Sequence, residues 1–309
     1  MAQREFIAQQ VYSGVRQALN KCMDKARILP PSDLEEPNKG YIYMVSTTRP
    51  LDPVEYSGME KMDTSDYQIW SVFTIPGNRI CWSVKLQLLT VEEATQHKFR
   101  NSEWGSDTSD PMIKEVRDFL IPMGGTLGNL IDSSPRDTIS RVFLEDKLFE
   151  TWHHGRTVLI GDAAHKLLPS AGLGAVTAMQ DAVTLANCIY EMKGLTTDDI
   201  NEAFIEFKNA RFPKLQAQYT ASQTTAKLLY GQGWFDKLLR VVVFNMLPES
   251  FMLKGAYKGM EFRPQASFIP QVPVRGTAPV LSQKPSLKYQ AEQAKLKGEE
   301  HTPAPSSIV

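Results

Sequence analysis

Residues 155–185 read GRTVLIGDAAHKLLPSAGLGAVTAMQDAVTL, and the reading of this stretch decides the fold class. Thr157-Val158-Leu159-Ile160 is β-branched and apolar between polar neighbours, which predicts a short buried strand. The strand gives out at Gly161-Asp162, and the chain passes Pro169, reaches Gly172-Leu173-Gly174 and enters a helical pattern. A strand that delivers a carboxylate, then a glycine-flanked loop, then a helix start suits a phosphate or an electron-rich ring. The first helical turn offers N–H groups without intrahelical partners and the positive end of the dipole. Gly172 and Gly174 let backbone approach such a ligand with no side chain in the way. The competing reading is an ordinary strand–loop–helix crossover whose glycines serve only to turn the chain.

The agreement of many positions favours the first reading. This stretch resembles the second flavin motif of the FAD-dependent, aromatic hydroxylase-type (group A) flavoprotein monooxygenases. That motif runs G-D-A-x-H, a proline four residues after the histidine, G-x-G, and a helix bearing D-A-x-x-L. Here the elements are Gly161-Asp162-Ala163-Ala164-His165, Pro169, Gly172-Leu173-Gly174 and Asp181-Ala182-Val183-Thr184-Leu185. The resemblance implies FAD as cofactor and NAD(P)H as reductant. It implies that Asp162 accepts from a ribityl hydroxyl and that backbone from Leu173 to Ala175 faces the pyrimidine edge of the ring. The implied cofactor-binding set is Gly161, Asp162, Pro169, Gly172, Leu173, Gly174 and Ala175. His165 lies inside the motif, where the family uses it structurally or near the flavin, and no proton transfer is assigned to it.

Residues 11–19, VYSGVRQAL, are similar to the end of the family's middle motif, D-G-x-x-S-x-V-R. Ser13, Val15 and Arg16 fit, whereas Gln9-Gln10 stand where the Asp-Gly pair belongs. Arg16 therefore joins the set as a polar residue near the flavin. A strand–G-x-G-x-x-G–helix unit for the ADP part of FAD is not recognisable near Met1. Gly124-Gly125-Thr126-Leu127-Gly128 follows no apolar strand and reads as a turn of the substrate domain. Gly172-Leu173-Gly174-Ala175 lies too far beyond its strand for a dinucleotide fingerprint, and its third glycine position is Thr177. The expectation is a chain that begins partway through an ancestral monooxygenase. The fold class expected is mixed, α+β or α/β: a truncated FAD-binding monooxygenase fold with a substrate-domain sheet and a C-terminal helical region.

Composition agrees with a folded chain. Its 309 residues, 42% hydrophobic and 22% charged, suffice for one large or two modest cores. A net charge of -1 gives no argument for nucleic acid or an anionic membrane as a partner. Cys22, Cys81 and Cys188 are odd in number and far apart, so no disulfide framework or metal cluster is expected. The adjacent pair His153-His154 cannot share a helical face as a metal pair would, and reads as turn residues. The polar start, without a signal peptide, gives a cytoplasmic location as the default, with peripheral membrane association as an addition.

Four regions follow along the chain. Residues 1–30 read as a helical remnant of the middle flavin-motif region. Residues 31–150 read as the substrate-domain sheet with a covering helix. There Ile80, Trp82, Val84, Leu86 and Leu88 alternate with polar or small residues, and Gln68–Ile75 joins them through Pro76-Gly77-Asn78, a hairpin signal. A further strand is expected over Thr138–Leu144, and a helix from Asp110-Pro111 carrying Ile113, Val116 and Leu120. One sheet face is expected to be polar and solvated and the other to roof the flavin. Residues 151–262 hold the flavin loop and C-terminal helices. Leu173, Val176, Met179, Val183, Ala186 and Tyr190 keep helical spacing along one face, and Thr197-Asp198-Asp199 caps a helix bearing Phe204, Phe207 and Phe212 as core. Arg211 stands at the characteristic arginine of the family's post-flavin helix. The apolar stretch in 228–253 is far short of a bilayer span of ~20 residues. It reads as a buried packing helix, with an interfacial helix that admits greasy substrate as the alternative. Residues 263–309, with seven prolines, read as an extended or disordered tail.

The activity the resemblance implies is monooxygenation: hydroxylation or epoxidation of an apolar aromatic or isoprenoid substrate with one atom of O2. In such enzymes the flavin carries the chemistry and the protein supplies position, dryness and hydrogen bonds, so no catalytic acid–base pair is named. The alternatives are an inactive remnant acting as a scaffold or a binder of hydrophobic small molecules. Association that covers the place of the dinucleotide-binding layer would accompany the scaffold.

Overall fold

A computed structural model of the chain describes residues 6–8, 13–51, 59–63, 68–87, 110–121, 124–231 and 233–299. Its larger sheet joins β2 (Asn38–Thr47), β3 (Met59–Asp63), β4 (Gln68–Ile75), β5 (Arg79–Gln87), β6 (Ser140–Leu148) and β9 (His165–Lys166) in the order β3-β4-β5-β2-β6-β9. All neighbouring pairs are antiparallel. The β4–β5 hairpin turns at Pro76-Gly77-Asn78 with Ile75 opposite Arg79. Gly77 and Asn78 take φ of 84° and 53°, the left-handed pair that matches a tight turn to strand twist.

Period-two patterning sets the sheet's first core. Ile42, Met44, Val72, Ile80, Trp82 and Val84 are buried together with Ile113 and Val116 of α2 (Asp110–Val116) and Leu127, Leu130 and Ile131 of α3 (Leu127–Asp132). The Trp82 indole N–H donates to Ser134 Oγ at 2.9 Å, so the largest side chain of this core buries no unpaired donor. The Gly124-Gly125 turn leads into α3. Leu120 lies beyond the end of α2 and is 71% exposed, against the expectation that it belongs to the helix face. Leu88 lies outside the described residues.

The assignment of the sheet's faces is corrected. The apolar face is the one covered by α2 and α3, and no sheet face is simply polar and solvated. The opposite face carries Tyr41, Tyr43, Val142 and Leu144, which pack with Leu168, Ala226 and Leu229. Nearby on that face the Ser71 and Ser83 hydroxyls are hydrogen-bonded at 2.7 Å, both buried. Two short helices therefore cover one face, and the other closes over Leu168 and the end of the long helix that carries Ala226 and Leu229.

The second core gathers around β8 (Thr157–Leu159), which pairs in parallel with β1 (Phe6–Ala8) and antiparallel with β7 (His153–His154). His153 and His154 are thus a short strand rather than turn residues, and a strand stands within the first ten residues. α1 (Gly14–Lys25) starts at Ser13, whose Oγ accepts the Arg16 N–H at 3.2 Å. Leu19 and Met23 of α1 pack with Trp152, Val158, Leu159, Ala163 and Ala164. Leu185 of α4 (Gly174–Tyr190) and Phe204, Phe207 and Leu215 of α5 (Thr197–Tyr230) complete this core. α5 is capped by Thr196, one residue earlier than expected, through a capping box with Asp199.

Three further helices follow: α6 (Trp234–Met246), α7 (Glu249–Gly259) and α8 (Leu287–Glu299). Two expectations change here. No residue of α6 is buried, so it is not a packing helix. The segment after Arg263 is extended but held down: the Asn187 amide donates to Gln265 O at 2.9 Å and its Oδ1 accepts the Ser267 N–H at 2.8 Å. Then α8 forms, with Lys288 Nζ donating to Tyr190 O at 2.7 Å.

Candidate functional site

β8 ends at Leu159, and after Ile160 a 3-10 turn over Gly161–Ala163 carries Asp162 out of the strand. The chain returns through β9, turns again over Pro169–Ala171 and reaches Gly172 in the left-handed region, φ 65° and ψ 18°. A β-carbon there is strained, which is why glycine occupies the position. Leu173 is the N-cap of α4 and makes no side-chain capping bond, so the first-turn N–H groups are left to a partner from outside the helix. A β-carbon built on Gly172 or on Gly174 would meet nothing within 4 Å. The space over the helix start is open, bordered by donors and by the positive end of the dipole.

The turn that bears Asp162 is fastened from behind. Asp181 of α4 is fully buried; its Oδ2 accepts the Gly161 N–H at 2.9 Å and contacts His165 Nε2 at 2.5 Å. Its Oδ1 accepts from Arg211 Nε of α5 at 2.7 Å, and Arg211, also fully buried, donates to Thr177 O at 3.3 Å. Burial pushes the Asp181 carboxyl up, but His165, Arg211 and the Gly161 N–H outweigh it and hold Asp181 below the usual carboxylate range. The Trp152 ring covers this group, 5.7 Å from the His165 ring and 5.6 Å from Phe207. One carboxylate thereby ties β8, β9, α4 and α5 together at the point where Asp162 emerges.

Asp162 itself is half-buried, and burial pushes its carboxyl above the usual range, with Lys166 and His165 pulling it back. An acceptor carried in a desolvated setting suits a hydroxyl donor. These residues fit a flavin: an acceptor for the ribityl side, and open N–H groups and glycine-cleared space for the ring. Gly161, Asp162, Pro169, Gly172, Leu173, Gly174 and Ala175 fall in this one strand–loop–helix unit. The Arg16 guanidinium stacks on the Phe149 ring at 4.1 Å, and the Phe149 N–H donates to Ala164 O at 3.0 Å. This contact links α1 to the residue that pairs with Ala164 of the motif.

α4 turns a different face inward from the one its apolar spacing predicts. Thr177, Gln180, Asp181, Thr184, Leu185 and Cys188 are buried, whereas Val176 and Met179 are 42% and 60% exposed. Over the other side of the unit, the second sheet face brings Tyr43 and Lys85, with Lys85 Nζ 5.2 Å from the Tyr43 ring centre. Burial pushes the Tyr43 phenol up, offset in part by a hydrogen bond with Ser83, and pulls the Lys85 ammonium down. Sequence reading had not singled these two out; their only signal is period two in β2 and β5. Among the described residues there is no group of His, Cys, Asp and Glu able to hold a metal ion.

The sequence profile of the FAD binding domain matches residues 129–199. The FAD-dependent monooxygenase ptmM of Penicillium ochrochloron is 34% identical over 146 residues, 46% of this chain and 33% of that protein. The FAD-dependent monooxygenase penE of Penicillium thymicola is 40% identical over 115 residues, 35% of this chain and 24% of that protein. The chain thus spans about a third or less of the length of these curated relatives. Among solved structures, Klebsiella pneumoniae HpxO complexed with FAD and uric acid superposes with a TM-score of 0.61 at 17% identity, over 82% of this chain and 59% of that one. A salicylate hydroxylase substrate complex gives 0.54 at 19% identity, over 81% and 60%. The solved structures speak for the fold, an FAD-binding monooxygenase fold, while the curated relatives and the matched profile make residues 129–199 similar to the FAD binding domain and the chain similar, over up to about half of its length, to fungal FAD-dependent monooxygenases.

Proposed function

We propose that this chain holds the flavin end of FAD at the start of α4 and presents, from the second face of the large sheet, the surface that receives an apolar aromatic or isoprenoid substrate for monooxygenation. The observation that carries the reading is the open helix start: an uncapped first turn, Gly172 in the left-handed region, and clear space over Gly172 and Gly174. When bound and reduced by NAD(P)H, FAD supplies the activation of O2 and the transfer of one oxygen atom. This chain's residues do the rest. Asp162 would hold the ribityl side of the cofactor as a hydrogen-bond acceptor, and the backbone N–H groups from Leu173 to Ala175 would hold its ring. Gly161 and Pro169 shape the turns on either side, and Arg16 braces the motif through Phe149. Tyr41, Tyr43 and Val142 keep water from the substrate face, with Ser83 and Lys85 as its polar members.

Contact with a membrane is peripheral in this reading, since no described helix is long and apolar enough to cross one. A second reading, a scaffold that associates through apolar surface, draws on the exposure of Val176 and Met179 beside the flavin loop.

The test is the visible spectrum of the purified chain after addition of FAD and gel filtration. A flavin band that stays with the protein, lost in Asp162→Ala, supports the reading, and NADPH oxidation stimulated by an apolar aromatic extends it to catalysis. A folded, colourless protein that shows no quenching of FAD fluorescence overturns it, and a colourless oligomer dispersed by Met179→Glu favours the scaffold.

A further inference from the structure

α6 is built inside out for a helix of a globular protein. Two of its charged side chains, Arg240 and Asp236, are turned toward the rest of the chain, while Lys237 and Asn245 are exposed. Arg240 donates from Nε to Leu228 O at 2.9 Å and from Nη2 to Gly231 O at 2.6 Å, tying α6 to the end of α5. The Asp236 side chain is only 15% exposed and lies 3.9 Å from Lys227 Nζ. Most of its large apolar side chains are exposed, with Val242 and Val243 half-buried. Trp234, Leu238 and Val241, spaced as one helical face, are 78%, 52% and 53% exposed, and Phe235 and Met246 flank them at 57% and 72%. A helix laid on a protein core would have its apolar stripe inward.

We propose that α6 and α7 form a docking surface for the interfacial layer of an anionic lipid bilayer. Three observations choose this occupant. The helix pair is too short and too interrupted at Pro248 to cross a membrane, so an apolar face of this kind lies in the plane of one. Its residues are of the interfacial type: Trp234 and Phe235 at the start of α6 and Tyr257 near the end of α7, with exposed Lys254 and Lys258 one turn apart. Charge is complementary as well. Of the charged residues of α6 and α7, Lys237, Lys254 and Lys258 are exposed, whereas Arg240 is bonded to Leu228 O and Gly231 O and Asp236 lies against Lys227, in a chain whose net charge is -1. The proposal sharpens the peripheral contact named above and is independent of whether flavin binds. A surface that sits on lipid would let an apolar substrate pass to the protein without crossing water.

The experiment is co-sedimentation of the purified chain with vesicles of phosphatidylcholine alone and of phosphatidylcholine mixed with phosphatidylserine, alongside its mass in solution by light scattering. Binding is expected to both and to be tighter to the anionic vesicles. Leu238→Glu with Val241→Glu should abolish both, with the circular dichroism melt unchanged because the two side chains are exposed. Lys254→Glu with Lys258→Glu should weaken only the anionic preference, by about fivefold or more for each lysine. A folded chain that sediments with neither vesicle overturns the proposal. So does a dimer that Leu238→Glu with Val241→Glu makes monomeric while vesicles take up no protein, which would assign the face to a second copy. Flavin retention is read separately from absorbance and moves with neither pair of variants.

Discussion

The two cores of this molecule are assembled on opposite principles. Around Trp82, strands with period-two patterning bury aliphatic side chains against α2 and α3, and the buried indole N–H is met by the neutral hydroxyl of Ser134. Around Trp152, the aromatic and aliphatic packing encloses a carboxylate, a guanidinium and an imidazole, all at most 1% exposed. The first arrangement is non-directional and tolerates replacement by side chains of like volume. The second is directional, since a buried charge is tolerable only with its partners in place. Stability alone does not call for such a group. It fixes where the Gly161–Ala163 turn leaves the strand, and so where Asp162 stands.

The sharpest way to break this contrast is Asp181→Ala. It strands Arg211 in the core and should cost about 3–5 kcal/mol in chemical denaturation, with flavin retention lost in whatever remains folded. The pH dependence separates the cores further. Asp181 is held below its usual range in the fold, so its stabilisation is complete above the ordinary carboxylate pKa and is lost as pH falls through the lowered value. Asp181→Asn should remove that acid limb from a series of melting curves, and a sheet-core variant should keep it.

Trp82→Phe is the counterpart on the other side. It leaves a small void and one hydrogen bond fewer, for about 1–3 kcal/mol, with no change in flavin affinity when measured on folded protein. A smaller effect on stability is expected of Gly172→Ala, about 1–2 kcal/mol from the left-handed backbone, but its added methyl projects into the open space over α4 and should weaken FAD at least tenfold in a fluorescence titration. Asp162→Asn should change stability least, within about 0.5 kcal/mol and toward greater stability. The folded carboxyl is raised, so its ionised form opposes folding above the ordinary carboxylate pKa, and the amide removes that opposition. Its flavin affinity should nevertheless fall. A gain in melting temperature together with retained flavin would refute the role given to Asp162.

Much of this was legible along the chain, because its causes are local. The strand at 157–159, the turn at Pro76-Gly77-Asn78, the burial of Phe204 and Phe207 and the loop through Gly172 each follow from residues adjacent in sequence or one period apart. Arg211 was placed by its motif, but its partner was not, since Asp181 sits 30 residues away on another helix. The inward face of α4 was misread for the same reason. Thr177, Asp181 and Thr184 look like a solvated stripe until His165 and Arg211 are brought to them. α6 shows the converse. Its apolar residues promise a packing helix, and two backbone carbonyls at the end of α5 capture Arg240 and turn that face outward.

Sequence by itself determined the elements and the chemistry of the site. Glycine where φ is positive, a carboxylate at the end of a strand and β-branched residues within it are properties of short segments, set by sterics and hydrogen bonding over a few residues. Tertiary structure alone decided which faces turn inward. That choice belongs to charged groups far apart in the chain, because a buried ion commits its helix to whichever distant partner can satisfy it, and the apolar stripe must follow.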